Sequence, residues 1–262
     1  MKNAQSDSPR SMTAVLRAGF EKIPFVAARR RRKARRAFPV DLSEQERRIV
    51  QLVRPYTMTS VDRIVALVHA VQYLVRHRVP GAIVECGVWR GGSMMAAAAA
   101  LLEAGDDERE LYCYDTFEGM SPPTSADVSY EGEPAAKLLA RDPKGTGLWC
   151  YASQADVAAN LARTGYPSHR IHLIAGRVED TIPSRLPPGP IALLRLDTDW
   201  YESTRHELEH LYPRLVSGGV FIADDYGHWQ GAKRAVDAYF TEHPSRIFLH
   251  RVDYSARLAI KP

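Results

Sequence analysis

The chain has 262 residues, 45% hydrophobic and 25% charged, which suits one large domain with a substantial core plus an appendage. The balance is that of an ordinary soluble globular protein; no apolar run approaches the roughly 20 residues of a membrane span, and the N-terminus lacks the apolar h-region of a secretory signal. The formal charge of +4 is unevenly placed, because residues 1 to 48 carry 13 Lys/Arg against 5 Asp/Glu and leave the remainder acidic.

Seven of the eight residues from Arg29 to Arg36 are basic, and the apolar Phe20, Ile23, Phe25 and Val26 precede them. Three readings fit: a polybasic segment touching an anionic membrane surface, a weak nucleic-acid tether, or a solvated, largely disordered extension. No aromatic interleaves the run, which counts against base stacking and makes nucleic acid the least expected partner. Asp7 and Glu21 argue against an organelle transit peptide. The expected division is a flexible basic extension over 1–48 and a globular domain over 49–262.

Ser43-Glu-Gln-Glu46 has the spacing of a capping box that opens a helix. Ile64, Val65, Leu67, Val68, Val71 and Leu74 recur at helical period over 61–78, and Pro80-Gly81 ends that helix. Strands and helices then alternate. Strands are expected at 82–86, 111–114, 171–174, 191–196 and 219–223, with helices at 93–102, 154–164, 203–215 and 230–242. The segments 247–251 and 257–260 read as a closing hairpin. This order predicts an α/β fold with a doubly wound, mostly parallel sheet. Between Gly119 and Ser153 a segment rich in Pro and Gly, Pro143 and Gly145 among them, breaks the rhythm. A connection of that length reads as a lid or binding loop over about 120–153. Cys86, Cys113 and Cys150 have no metal-ligand spacing, and Cys86 and Cys113 sit in strand-like runs, so buried reduced thiols in a cytoplasmic protein are expected.

Two features carry chemistry. Glu85-Cys-Gly87-Val-Trp-Arg-Gly91-Gly92-Ser93 joins the first strand to its helix. Gly87 permits a tight turn, and Gly91-Gly92 let a ligand reach the free amides at the helix start. Glu85 would repel a pyrophosphate but suits a cationic ligand. Asp115, followed by Thr116 at the end of the second strand, is placed to accept from ribose hydroxyls. An anion-binding helix start, a nearby carboxylate and a ribose-binding acid together describe S-adenosylmethionine.

The second feature is a set of acids at the ends of two apolar runs, Asp197 and Asp224-Asp225. If the two strands are parallel neighbours, about 4.8 Å apart, these carboxylates converge and repel unless a cation or proton shares the site. A hard divalent ion such as Mg2+ suits all-oxygen donors; the plainer reading is that aspartates cap the following helices. Asp199 reads both as a site residue and as the start of a cap box with Glu202. Asp197, Asp199 and His228 are the candidates to take a proton. Trp200, Tyr226 and Trp229 could stack on a ligand or simply fill the core. Arg195, within a strand, is expected to pair with an acid.

These motifs in combination resemble the macrocin O-methyltransferase family. The resemblance rests on residues 85–93, Tyr114-Asp-Thr-Phe-Glu-Gly119, 194–204, Asp224-Asp-Tyr226, Lys233-Arg-Ala-Val-Asp237 and Pro55-Tyr-Thr-Met-Thr59, and covers about 55 to 260. It implies a class I, Rossmann-like, seven-stranded methyltransferase fold, S-adenosylmethionine, and Mg2+ held by Asp197, Asp224 and Asp225. It also implies a glycoside acceptor that is methylated on a sugar hydroxyl. Members commonly carry an aromatic pair after the glycine that follows the third strand, where this chain has Gly176-Arg177-Val178. A catechol-type or other small-molecule acceptor is the alternative. An Asp197-Thr-Asp199 glycosyltransferase and a tail-driven binding module are more distant readings. Self-association is left open.

Overall fold

Runs of five to nine residues become the five parallel strands of one sheet, and the amphipathic segments between them become its helices. The computed structural model describes residues 38–142, 147–243 and 247–262; the basic run with its apolar neighbours, and Pro143 and Gly145 of the insertion, lie outside the described residues. The chain divides into units 1–43 and 44–262. In the first, described over 38–43, Leu42 N donates to Pro39 O at 3.3 Å. Helix α1 (Glu44–Val53) opens the second. Helix α1 thus begins inside the stretch 1–48 that the charge distribution sets apart.

After α1 come α2 (Val61–Arg76), β1 (Ala82–Cys86), α3 (Gly92–Glu103) and β2 (Leu111–Asp115). Then follow α4 (Ala135–Arg141), α5 (Gln154–Ala162), β3 (Ile171–Ala175), the single turn α6 (Val178–Thr181) and β4 (Ile191–Leu196). The chain closes with α7 (Tyr201–Leu211), β5 (Leu215–Ala223), α8 (Gln230–Glu242), β6 (His250–Arg251) and β7 (Arg257–Ile260). The sheet has seven strands in the order β3-β2-β1-β4-β5-β7-β6. The first five are parallel, and β7 and β6 form the antiparallel end expected of a hairpin. Every residue of β1 and β4 is buried, as in a central parallel sheet covered on both faces.

The main departures from the expected bounds lie where α7 meets β5 and in the insertion. Helix α7 stops at Leu211, where Tyr212-Pro-Arg214 forms a 3-10 turn, and Leu215 already belongs to β5. Pro213 has no amide hydrogen to continue the α-helical ladder. The insertion is partly helical: Ala135 and Leu139 of α4 pack with Trp200, Trp229 and Ala232 as a second small core. Strand order reverses between β1 and β4, where open α/β sheets hold ligands at the strands' carboxyl ends.

Candidate active site

The carboxyl ends of β1, β2, β4 and β5 border a cavity of about 380 Å3, in the size range of small-molecule sites. Glycine makes the convergence sterically feasible. A Cβ on Gly87 (φ 81°) would lie 2.0 Å from Asp197 O, so any side chain there would part the ends of β1 and β4. A Cβ on Gly92 would lie 2.5 Å from Tyr56 O, so glycine lets the segment before α2 cross the start of α3. Arg90 secures that crossing by donating to Pro55 O (3.1 Å) and Asp156 Oδ2 (3.1 Å) beside the Tyr56 ring. Gly92 and Ser93 at the start of α3 are part of the cavity wall, where first-turn amides favour an anion.

Of the residues expected to hold a cofactor, Gly87, Ser93, Asp115 and Thr116 line the cavity, whereas Glu85 and Gly91 do not. Gly91, in the left-handed region, faces Val157 and Leu161 of α5 and serves packing. Glu85 is fully buried beneath the cavity and pairs with Arg195. Asp115 ties the glycine loop to β2: one carboxylate oxygen accepts from Val88 N (2.8 Å) and Trp89 N (3.0 Å), the other from Phe117 N (2.8 Å). The first oxygen has both acceptor sites engaged, so the second is the one that retains capacity toward a ligand.

The strand ladder sets the acids. Asp197 N donates to Cys86 O and Asp224 N to Leu196 O, both at 2.9 Å, so each aspartate continues its strand by one residue and the two lie side by side. Ligand atoms of Asp197, Asp224 and Asp225 all lie within 4.8 Å of one another. Two arginines compensate part of this charge. Arg195 donates to Glu85, to Asp197 Oδ2 (2.6 Å) and to Asp224 Oδ1 (2.6 Å), while Arg63 pairs with Asp224 and lies 3.1 Å from Asp253. Glu85, Asp197, Asp199, Asp224 and Asp225 thus outnumber the two guanidiniums. Burial and then mutual repulsion hold Asp197 and Asp225 well above the usual carboxylate range. The oxygen-only donor set and the surplus of negative charge both fit a hard divalent cation.

Asp199 lies on the cavity wall with a left-handed backbone (φ 67°). Its N–H donates to Asp225 Oδ2 (3.2 Å), and its carboxyl hydrogen-bonds Asp225 and Trp229. It does not cap α7, whose N-cap is Trp200. That helix start is served by Asp127 of the insertion, whose Oδ1 accepts from Tyr201 N (2.7 Å). Burial, then Asp197, push Asp199 up to about 7. His228 lines the same wall, with Nδ1 3.2 Å from the Tyr254 hydroxyl. Burial and the Arg63 charge pull it below its usual value, so its ring is neutral near neutral pH. Trp200 is packed edge-on against Trp229 (5.0 Å between ring centroids) and donates to Ser121 O, and Tyr226 bonds Asp237; Trp229 alone of the three faces the cavity.

Thr57 to Thr59, Arg63, Cys150 and Tyr254 also line the cavity and carried no assignment from sequence. Thr57 to Thr59 lay within a motif that pointed to a family without saying what the segment touches. Arg63 meets an acid 161 positions away, which no local pattern announces.

The family described as macrocin O-methyltransferase matches residues 11–258, reaching into the basic extension and beyond the span the motifs had covered. A tetracenomycin relative from Streptomyces olivaceus, 8-demethyl-8-(2,3-dimethoxy-alpha-L-rhamnosyl)-tetracenomycin-C 4'-O-methyltransferase, is 38% identical over 65% of this chain and 62% of its own length. Demethyldecarbamoylnovobiocin O-methyltransferase of Streptomyces niveus is 31% identical over 70% of this chain and 67% of its own. The chain thus spans a little under two thirds of the first relative's length. Among solved structures, the O-methyltransferase NovP superposes with a TM-score of 0.68 at 28% identity, covering 79% of this chain and 82% of that one.

Proposed function

From its membership of the macrocin O-methyltransferase family, to which this chain belongs, we infer an S-adenosylmethionine-dependent, Mg2+-assisted O-methyltransferase that acts on a sugar hydroxyl of a glycosylated natural product. The observation that carries this reading is the convergence of Asp197, Asp224 and Asp225 on the same cavity as the glycine loop and the start of α3. A relative named for methylating a rhamnosyl-bearing tetracenomycin supports a sugar acceptor.

Bound S-adenosylmethionine would supply an electrophilic methyl group, and Mg2+ at the three aspartates would fix and acidify the acceptor hydroxyl. The protein's own task is alignment and proton removal. The α3 amides near Gly92 and Ser93 take the cofactor's carboxylate, and Asp115 and Thr116 its ribose. Asp199 takes the hydroxyl proton, since it adjoins the metal acids and its carboxyl titrates near neutrality. His228, neutral and fixed against Tyr254, hydrogen-bonds the sugar. Arg195 and Arg63 hold the aspartates in place.

Calorimetric titration of S-adenosylhomocysteine into metal-free protein, then of Mg2+ into the complex, tests this directly. Micromolar binding followed by a Mg2+ signal is expected. A folded protein that binds neither would sink the reading.

A further inference from the structure

One fully buried acid, Glu207 of α7, has no task in the reading above. Its Oε1 lies 2.9 Å from the hydroxyl of Thr198, the residue between Asp197 and Asp199. Thr198 is half-buried and lines the cavity. Its backbone N lies 3.2 Å from the place a Cβ on Gly87 would take, so it stands against the glycine loop. Thr198 therefore links a buried carboxyl to the cavity wall on the side where the cofactor would lie.

The surroundings of Glu207 decide which of the two groups gives the hydrogen. Its Oε2 has no hydrogen-bond partner among the described residues. Burial first, and then the negative charges of Glu179, Asp225 and Asp197, hold the carboxyl well above the usual carboxylate range. The group is thus a neutral acid with one hydrogen to place. On Oε2 that hydrogen would be a buried donor with nothing to accept it, the costlier arrangement. On Oε1 it meets Thr198 Oγ1, and the atom left alone is a carbonyl oxygen. With that bond made, the Thr198 hydroxyl keeps its own hydrogen free to donate.

We propose that Glu207 is a positioning residue that donates to Thr198 Oγ1 and so turns the Thr198 hydrogen toward an acceptor atom of the bound cofactor, an inference that rests on the S-adenosylmethionine reading above. The chain Glu207 to Thr198 to ligand runs in one direction, and each donor in it strengthens the next. The reverse direction has the opposite consequence. An ionised Glu207 can only accept, so it would take the Thr198 hydrogen and leave the cavity facing a lone pair. Removing the acid then frees a donor for the ligand, whereas in the proposed direction its removal loosens one. The sign of a single substitution separates the two.

The test is calorimetric titration of S-adenosylhomocysteine into the full chain and its variants, with thermal unfolding alongside. Thr198→Val is expected to weaken binding about tenfold, the scale of one hydrogen bond. Glu207→Leu weakens it about fivefold without lowering the thermal midpoint, since an apolar side chain of similar size replaces an acid with an unmatched oxygen. In the Thr198→Val background, Glu207→Leu adds no further loss. Thr198→Ser and Glu207→Gln stay near wild type, because the hydroxyl remains and the amide N–H still donates to it. Unchanged or tighter binding by Glu207→Leu overturns the proposal, as do additive losses in the double variant. A loss of affinity that only accompanies a lower midpoint marks a merely structural acid and overturns it too. Unchanged binding by Thr198→Val overturns it whether or not Glu207→Leu folds. Failure of the folded wild type to bind S-adenosylhomocysteine overturns the cofactor reading itself, an outcome distinct from every variant result.

Discussion

Glu85 of β1 and Arg195 of β4 are register partners on adjacent strands, both buried, and the guanidinium donates to the carboxylate beneath the candidate active site. Arg195 reaches two more acids, Asp197 and Asp224, and so ties the sheet interior to the candidate metal site. Removing one member of a buried charge network leaves the others unpaired. Arg195→Ala is expected to destabilise the fold by about 3–5 kcal/mol in urea unfolding. Glu85→Gln should cost far less, because Arg195 keeps its other partners. Equal losses from both would show that the network is not organised around Arg195.

Stability of the metal-free protein should fall as pH rises. Burial pushes Glu85 up to about 7 in the fold, against about 4.3 in the unfolded chain. Between those values the folded state binds more protons, so the contribution is fully present below about pH 4 and is lost as pH passes through about 7. Thermal unfolding from pH 5 to pH 8 should show a declining midpoint, and Glu85→Gln should flatten the slope. A midpoint that rises over this range in both proteins would contradict the assignment.

Asp225 tests the metal site more cleanly than Asp224, whose two oxygens are engaged by Arg195 and Arg63. Asp225→Asn should remove the calorimetric Mg2+ signal and metal-dependent turnover, with S-adenosylhomocysteine affinity within a few-fold of wild type. Loss of cofactor binding as well would mean that Asp225 supports the fold.

Asp199→Asn should lower kcat by about a hundredfold or more while leaving S-adenosylhomocysteine binding and acceptor KM near their starting values. The wild-type rate should rise with pH along a limb at or below about 7, since the base must be ionised and a cation beside it favours the ionised form. Survival of that limb in the variant would move the role to His228 or Asp197.

Asp127 accepts from Thr124 N and caps α7 at Tyr201, so it joins the insertion to α7. Asp127→Ala should cost about 1–3 kcal/mol through lost hydrogen bonds and a lost cap. It should also speed proteolysis between residues 119 and 153 and raise KM for a glycoside. Stability and cleavage rates equal to wild type would remove its proposed role.

The alternation of apolar runs with amphipathic segments was enough to place all five parallel strands, most plainly β1 and β4, where burial on both faces demands continuous hydrophobicity. The glycines of residues 87–92 were legible as a close approach, although Gly91 turned out to face α5 and Glu85 to lie under the floor. Periodicity was silent on the short α4, which lies in a segment punctuated by Pro and Gly, and on the true end of α7, set by the proline after Tyr212.

What the sequence alone determined is that two buried runs end in aspartate, at Asp197 and at Asp224-Asp225. Strands that run parallel, neighbour one another and end in aspartate bring those carboxylates together at the same edge. What only the tertiary structure decided is how that charge is balanced and what surrounds it. Arg63 pairs across 161 residues, Asp127 caps a helix 74 residues ahead, and Tyr130 meets Tyr254 through a loop docked on α8. Such contacts depend on where packed elements come to rest, and no repeat or spacing along the chain encodes them.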